Sequence, residues 1–268
     1  MPLLPANREL PGTLRCVNPE QSTRPFLTAE QLRAFTDQHR TVRIYQDTPI
    51  PGEDLEAILY AARRAPTDAT AQLYSLIRLV DKNLREQVAE LSGNPHLAGA
   101  PEAFIVCGDL WRVARLLAHT GHPVGHYPHA GIHFAIGDAV LAGQTLLLSA
   151  ELLGYQGCWV GGVLNAVSEI SALLELPERV FPFAGLTLGR PAEQPTQRPR
   201  LAPELLIHQD RYHKPTPEEL DWALSEMAPI SRRGDWGRTL ARYFAPGGTM
   251  EQRDGPLESF LRAQGLGR

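Results

Sequence analysis

Residues 39–67 read HRTVRIYQDTPIPGEDLEAILYAARRAPT, a short basic run followed by an amphipathic segment. Apolar side chains recur at helical spacing from Leu55 to Ala62, so we expect a helix over about 53–64. Pro66 disfavours its continuation, because the residue before a proline avoids helical geometry. This stretch therefore places positive charge just before a predicted helix. The predicted strands and helices on either side of it indicate the fold class.

Strand-like and helical segments alternate on both sides of this stretch. The predicted strands are Leu73–Val80, Ala103–Cys107, Gly157–Gly162 with a turn at its end, and Phe183–Leu188. The predicted helices are 29–38 capped by Thr28, one capped by Asp81 and ended by Gly93, 130–153, one from Asn165 to Leu174, one starting at Thr216, 235–244 and 256–264. The proline-rich segment 190–203 is predicted to be an extended loop. Strands separated by helices, with further helices at both ends, indicate an α+β or three-layer α/β domain.

The composition is typical of a soluble globular protein. The chain has 268 residues, of which 43% are hydrophobic, and a formal net charge of −4. This balance gives no indication of a nucleic-acid-binding surface or a basic membrane anchor. The apolar stretch 139–153 is interrupted by polar residues and is shorter than a bilayer-spanning helix.

Cysteine usage and the N-terminal segment favour a cytoplasmic location. Three cysteines, Cys16, Cys107 and Cys158, do not form a disulfide framework. Cys107 and Cys158 lie in apolar runs and are expected to be buried free thiols. The opening residues MPLLPANRELPG lack the apolar core of a signal peptide.

The basic run at residues 39–43 contains the donors that a phosphate requires. His39, Arg40 and Arg43 supply charged groups and Thr41 supplies a hydroxyl. In an extended segment His39, Thr41 and Arg43 share one side. A run of this kind is also typical of ordinary solvated surface, and both interpretations remain open at this point.

A second basic pair lies far along the chain. Arg198 and Arg200 flank Pro199, which stiffens the backbone and partly fixes the direction of both guanidinium groups. The two basic clusters become more informative once they are considered together with longer stretches of sequence.

Several such stretches resemble the nitroreductase family, most closely its branch of NADPH-dependent, oxygen-insensitive nitroreductases and flavin reductases. They are HRTVRIYQDTPIPGEDLEAILYAARRAPT (39–67), LREQVAELSGNPHLAGAPEAFIVCGDL (84–110), SAELLGYQGCWVGGVLN (149–165), LLELPERVFPFAGLTLGRPAEQPTQRPRLAPELLIHQDRY (173–212), SRRGDWGRTLARYF (231–244) and LESFLRAQGL (257–266). No single motif decides the match, which depends on their order and spacing.

The resemblance implies an α+β, nitroreductase-like three-layer fold, with a central mixed β-sheet flanked by helices and a C-terminal helical excursion. The expected organisation is an irregular extension over 1–27, an FMN-binding domain over 28–212 and the excursion, packed on that domain, over 213–268. The family forms homodimers with FMN at the interface.

The implied activity is hydride transfer from NAD(P)H to nitroaromatics, quinones or free flavin by a ping-pong mechanism. FMN carries the chemistry, so no protein nucleophile is assigned. The alternative is a non-catalytic flavin- or nucleotide-binding homodimer. Neither hypothesis involves a resident metal, a nucleic acid or a membrane.

The resemblance also assigns site residues position by position. The FMN-binding residues are His39, Arg40, Thr41, Arg43, Thr67 from the other subunit, Trp159, Val160, Gly161, Gly162, Arg198 and Arg200. The candidates for NADPH binding are Arg232, Arg233 and Arg253. Surface charge is an equally good explanation of these last three. Trp159 also has two interpretations, as a core residue or as part of the flavin pocket.

The chain departs from the family pattern at three places. Asp68 replaces part of a serine-rich run, and we expect it to cap a helix or turn and face away from the flavin. Pro95 stands where relatives carry a glutamine that bonds the flavin, a contact that Asn94 could replace. The family's Gly-Gly-x-Arg-Asn has Leu164 at the arginine position.

A run of histidines between two helical segments has metal-like spacing, at His119, His122, His126, His129 and His133. Intervening Gly and Pro residues interrupt a common helix, so only His129 and His133 are expected to share one. We therefore predict no metal site; in the family this stretch lies near the mouth of the flavin pocket, where these side chains could contact substrate.

Overall fold

The structure is a computed structural model that describes residues 26–231 and 233–267. Cys16, Arg232 and the predicted irregular extension up to residue 25 lie outside the described residues. The chain divides into two compact units, Met1–Asp37 and Gln38–Arg268. The predicted boundary between 212 and 213 is not tested by this division and stays a prediction.

The first unit contains helix α1. It spans Ala29–Thr36 and begins, as predicted, at Thr28. The Thr28 hydroxyl accepts from the backbone N–H of Gln31, whose side chain accepts from the N–H of Thr28 in return. This capping box satisfies two backbone donors that the first helical turn leaves unpaired.

The described residues of the second unit form the remaining helices and four strands. The helices are α2 (Gly52–Ala62), α3 (Lys82–Ser92), α4 (His96–Gly99), α5 (Trp111–His119), α6 (Pro128–Leu152), α7 (Val167–Leu173), α8 (Pro217–Met227), α9 (Trp236–Phe244) and α10 (Thr249–Ala263). The strands are β1 (Tyr74–Arg78), β2 (Glu102–Asp109), β3 (Gln156–Val160) and β4 (Val180–Gly189).

The strands form one sheet in the order β1-β2-β4-β3. Each pairs antiparallel with its neighbours. The parallel component of the expected mixed sheet is a single bridge outside these strands, between Thr41 and Gly157. The basic run therefore follows the free edge of β3.

Helices cover both faces of the sheet, which confirms the three-layer arrangement. Along β2, Phe104 and Val106 join one buried cluster with residues of α2 and α6. Ala103, Ile105 and Cys107 join the other, with residues of α3, α4 and α7. This alternation follows from the two-residue repeat of a strand, and burial on both faces explains why β2 is apolar throughout.

Helix α6 is the central helix of one layer. By length and composition it could cross a membrane, so the length argument based on 139–153 does not hold for the whole helix. Its buried residues, however, pack within the domain, among them Ala139, Leu146 and the carboxylate-bearing Asp138. A long helix buried against a sheet has the apolar composition of a core helix.

Two helix starts differ from the predictions. Asn165 does not cap α7, because residues Gly161–Ala166 form a 3-10 turn and α7 begins only at Val167. Helix α10 begins at Thr249 and contains Pro256, which was expected near its start. Helices α4 and α5 were not predicted.

Candidate functional site

The basic run is held against β3 and the loop that follows β4. The N–H of Val42 donates to the carbonyl of Gly157 (3.1 Å), and the N–H of Ala192 donates to the carbonyl of Ile44 (2.9 Å). The Tyr45 hydroxyl donates to the Val42 carbonyl (2.6 Å). These bonds bring two basic segments, distant in sequence, to the same edge of the sheet.

A cavity of about 120 Å³ lies between these segments. It is lined by His39, Arg40, Thr41, Arg43, Glu193, Pro195, Thr196, Arg198 and Arg200. The structure thus brings together all six of the residues that the sequence proposed for phosphate binding. Four guanidinium groups and one carboxylate face the same small space, so it favours an anion.

The guanidinium groups at the cavity differ in how they are engaged. Arg40 donates to the carbonyls of Pro195 (3.1 Å) and His39 (2.8 Å), which holds the Pro-rich loop to the basic run. Within residues 26–231 and 233–267, the guanidinium groups of Arg43 and Arg198 make no hydrogen bond or ion pair. They retain their donors for a ligand.

Two carboxylates organise the cavity, and sequence reasoning missed both. Glu151, at the end of α6, pairs with His39 Nδ1 at 2.5 Å, and its side chain is 5% exposed. Glu193 accepts from the N–H groups of Arg43 (2.5 Å) and Ile44 (3.0 Å). The sequence shows Glu151 only as a carboxylate inside an apolar helix. Its partner, His39, lies 112 residues away, so the pairing has no local signal.

The end of β3 forms the second part of the candidate site. Trp159 packs edge-on against Phe183 and donates through Nε1 to Gln144 of α6 (3.2 Å). A Cβ atom at Gly143 would lie 2.3 Å from its ring. Trp159 is therefore at least a packing residue, in agreement with its core interpretation.

The two glycines after Val160 have different surroundings. A Cβ atom at Gly161 would meet nothing within 4 Å, so space lies open above this residue. A Cβ atom at Gly162 would lie 2.0 Å from Asn94 Nδ2, so only glycine fits there. Residues 44–46, which follow the basic run, pair with residues 190–192 beyond the end of β4 and thus lie beside the start of β3, whereas this turn follows the end of β3.

Thr67 does not line the cavity. It precedes a 3-10 turn, Asp68–Thr70, in which the Asp68 carbonyl rather than its carboxylate accepts from Ala71. The prediction that the Asp68 side chain caps this turn is therefore wrong, and that side chain is exposed.

The loop after Thr67 is strained and anchored. Ala69, Thr70 and Gln72 have positive φ angles of 46°, 56° and 55°, which costs on the order of 1–3 kcal/mol for each non-glycine residue. The buried carboxylate of Asp138 on α6 accepts from the N–H groups of Asp68 and Leu73, each at 2.8 Å. These bonds bracket the strained residues.

The first residue of α4, His96, carries an unpaired polar atom, and Asn94 precedes it in the turn after α3. Asn94 donates through Nδ2 to the carbonyl of Ser92 (2.6 Å), so this amide nitrogen is already engaged. His96 Nε2 is buried and has no hydrogen-bond partner among the described residues. Burial, and then the positive charge of Arg43, lower the pKa of His96.

The predicted NADPH-binding arginines lie in two places. Arg253 of α10 donates through Nε to Asn165 Oδ1 (3.0 Å), which connects α10 to the turn after β3. Arg233 lines a separate cavity of about 940 Å³ together with Arg238 and Arg242 of α9. Arg253 is not among the residues lining that cavity.

The histidine run is divided between elements. His119 ends α5, and His129 and His133 share the first turns of α6 as predicted. In the described part of the chain, no three His, Cys, Asp or Glu side chains are grouped so as to hold a metal ion.

Known proteins share both the sequence pattern and the fold. A sequence model of the Nitroreductase family matches residues 36–190. The chain belongs to the nitroreductase family. It is 33% identical to an oxygen-insensitive NADPH nitroreductase of Salmonella typhimurium over 217 residues, which cover 81% of this chain and 83% of that protein.

Two further members of this nitroreductase family support the assignment. An FMN reductase [NAD(P)H] of Bacillus subtilis is 31% identical over 228 residues, covering 80% of this chain and 91% of the relative. The crystal structure of nitroreductase A from Vibrio parahaemolyticus superposes with a TM-score of 0.79 at 26% identity, covering 87% of this chain and 96% of that one.

Proposed function

We propose that this nitroreductase-family protein is an FMN-dependent oxidoreductase that takes hydride from NAD(P)H and reduces nitroaromatics, quinones or free flavin. The observation that carries the proposal is the basic cavity at the edge of β3. Relatives over most of the chain are named NADPH nitroreductase and FMN reductase, which fits the same chemistry. The acceptor itself is not fixed by the fold.

The donor set of the cavity fits the FMN phosphate. Arg43 and Arg198 have uncommitted guanidinium groups, and Thr41 adds a hydroxyl. His39, held by Glu151, and Arg40 and Arg200 complete the positive lining. Several guanidinium groups can each donate two hydrogen bonds to the oxygens of one phosphate dianion, which is why arginine is favoured at such sites.

The turn after β3 fits the flavin ring. Trp159 and Val160 end β3 and Gly161 and Gly162 begin the turn, and the open space at Gly161 would allow a ring to approach the backbone. When bound, FMN supplies the hydride-transfer chemistry, while this chain binds and orients the reactants and excludes water. In the proposed ping-pong order, the oxidised nicotinamide leaves before the acceptor enters the same space.

The position of Thr67 supports a homodimer with FMN at the interface. Asp138 anchors the Thr67 loop and Glu151 anchors His39, and both lie on α6. Thirteen residues of helix separate these anchors by about 20 Å. We infer that the Thr67 loop contacts the ring bound by the other subunit rather than the one bound in its own cavity.

The nicotinamide donor is proposed to be NADPH, bound with the help of Arg232, Arg233 and Arg253. Arg233 lines the cavity of about 940 Å³ together with Arg238 and Arg242 of α9. Three arginines around one cavity suit a phosphate group. Arg253 would have to exchange its bond to Asn165 for a ligand contact. Because Arg233 lines this cavity and Arg253 does not, the structure supports a role in NADPH binding more directly for Arg233.

A soluble, cytoplasmic location completes the proposal. The described thiols, Cys107 and Cys158, are free and buried, and burial raises the pKa of Cys107 to about 12. Such thiols are inert and need no oxidising compartment.

Anaerobic reduction of the purified protein tests the function. We expect a yellow protein whose visible flavin absorbance bleaches on addition of NADPH, faster than with NADH, and returns when a quinone or nitroarene is added. Yellow protein that neither nucleotide bleaches would favour the alternative, a non-catalytic flavin-binding homodimer. Colourless protein that cannot take up added FMN would contradict both.

A further inference from the structure

Glu193 places a carboxylate in a cavity whose other charged side chains are basic. It lines the cavity at the edge of β3 together with His39 and four arginines. Like charges repel, and they do so more strongly in a confined site than in open water. The charge of Glu193 therefore opposes the binding of the phosphate that the arginines attract.

One oxygen of this carboxylate holds the backbone of the basic run. Glu193 Oε1 accepts from the N–H groups of Arg43 (2.5 Å) and Ile44 (3.0 Å). An N–H group needs only an oxygen with a lone pair, which the neutral amide of glutamine also provides. The hydrogen bonds that position the basic run can thus be made without the negative charge.

The charge of Glu193 is not paired with the arginines that are open to a ligand. Within the ranges 26–231 and 233–267, the guanidinium groups of Arg43 and Arg198 bond no other side chain, and Glu193 Oε2 accepts no hydrogen bond. All three residues line the same cavity. A phosphate that enters it meets two uncommitted cations and one uncommitted carboxylate oxygen.

We propose that the charge of Glu193 limits the affinity of this cavity for phosphate, so that bound FMN exchanges with FMN in solution. The inference rests on the proposed function, because FMN carries the phosphate. It gives one side chain two separable effects. The oxygen of Glu193 positions the basic run, and its charge weakens the binding of the phosphate.

Two substitutions at Glu193 separate the charge from the hydrogen bonds. Glu193→Gln keeps an oxygen for both N–H groups and removes the charge, so FMN should bind about tenfold more tightly. Glu193→Ala also leaves the two N–H groups without their acceptor, and it should bind FMN more weakly than Glu193→Gln. Riboflavin, which lacks the phosphate, should bind the parent and Glu193→Gln equally. Flavin fluorescence during titration of the apoprotein measures each Kd.

Glu204→Gln is the matched control. Glu204 is an exposed glutamate just after the proline-rich loop and does not line the cavity, and its substitution changes the net charge by the same amount. Its FMN affinity should equal that of the parent. The gain in Glu193→Gln should also shrink as the salt concentration rises, because salt screens a charge more than it weakens a hydrogen bond.

The release of FMN gives a second readout. After dilution of the FMN complex, flavin fluorescence should return more slowly with Glu193→Gln than with the parent, because affinity differences between related complexes reside mostly in dissociation rates.

Several outcomes would overturn the proposal. They are unchanged or weaker FMN binding in Glu193→Gln, a gain that riboflavin shares, and an equal gain in Glu204→Gln. A parent protein that binds neither flavin would instead refute the proposed function. Binding of inorganic phosphate, measured by calorimetry, would then still show whether the charge of Glu193 weakens the anion site.

Discussion

At the scale of single residues, the cavity depends on acidic side chains as much as on basic ones. Glu151 is almost fully buried and pairs with His39, and Glu193 bonds the backbone beneath Arg43. A buried carboxylate that holds an imidazole by one nitrogen leaves the other nitrogen directed at a ligand. In the proposed function, Glu151 would therefore act on the FMN phosphate through His39.

Replacing Glu151 tests this indirect role. Glu151→Gln keeps the size of the side chain but removes its charge, so His39 is held less firmly. We expect FMN affinity to fall about three- to tenfold, a loss of about 1 kcal/mol, while riboflavin affinity is unchanged. Titration of the apoprotein measures both. Glu178→Gln, an exposed glutamate after α7, is the control; equal behaviour of the two variants would contradict the role.

Both acidic residues show where prediction from the sequence stops. Arg40, Arg43 and Arg198 could be proposed from local clustering alone, and the structure brings them together. Glu151 and Glu193 could not, because their roles depend on partners that only tertiary packing supplies. A cluster of basic residues can be recognised in a sequence, whereas a contact between two residues more than a hundred positions apart cannot.

At the scale of elements, helix α6 sets the spacing of the site. Its polar side chains Asp138, Gln144 and Glu151 bond the Thr67 loop, Trp159 and His39 respectively. An α-helix rises about 1.5 Å per residue, so these three attachments lie at fixed positions along one rigid rod. A change at any of them alters one segment of the site and leaves the others in place.

Asp138 is the attachment with the largest predicted effect on stability. Asp138→Ala leaves the N–H groups of Asp68 and Leu73 without their acceptor and releases the strained loop between them. We expect a loss of about 2 kcal/mol or more in unfolding free energy, measured in urea, and new protease cleavage in 68–73. Gly137→Ala, at the next position, meets open space and should instead stabilise, by about 0.5–1 kcal/mol. Equal stability of Asp138→Ala and the parent would contradict the anchor.

The elements themselves were predictable where local signals are complete. Helix α3 begins at Asp81, whose carboxylate caps it, and ends at Gly93 in the left-handed conformation, both as predicted. Asn165 carried a similar capping signal but serves another purpose, since its amide donates to the Ser92 carbonyl. The strand order, with β4 between β2 and β3, has no local signal because it depends on long-range pairing.

At the scale of the whole molecule, α6 leaves an apolar stripe uncovered. Phe134, Leu141, Leu148 and Leu152 are each more than 40% exposed, and their spacing of seven, seven and four places them on one side of the helix. Monomeric proteins rarely expose such a contiguous stripe. A second copy of the chain covers it in the proposed homodimer, which also brings each Thr67 loop to the other cavity.

Charged substitutions on this stripe test the assembly and the site together. Leu141→Glu combined with Leu148→Glu would bury carboxylates at the interface, so we expect a monomer by light scattering and at least tenfold weaker FMN binding. The weaker binding follows because each ring loses the loop supplied by the other subunit. Val80→Glu, at an exposed apolar position after β1, is the control and should stay dimeric. A double variant that remains a dimer would place the interface elsewhere, and a monomer that binds FMN as tightly as the parent would show that one chain holds the flavin alone.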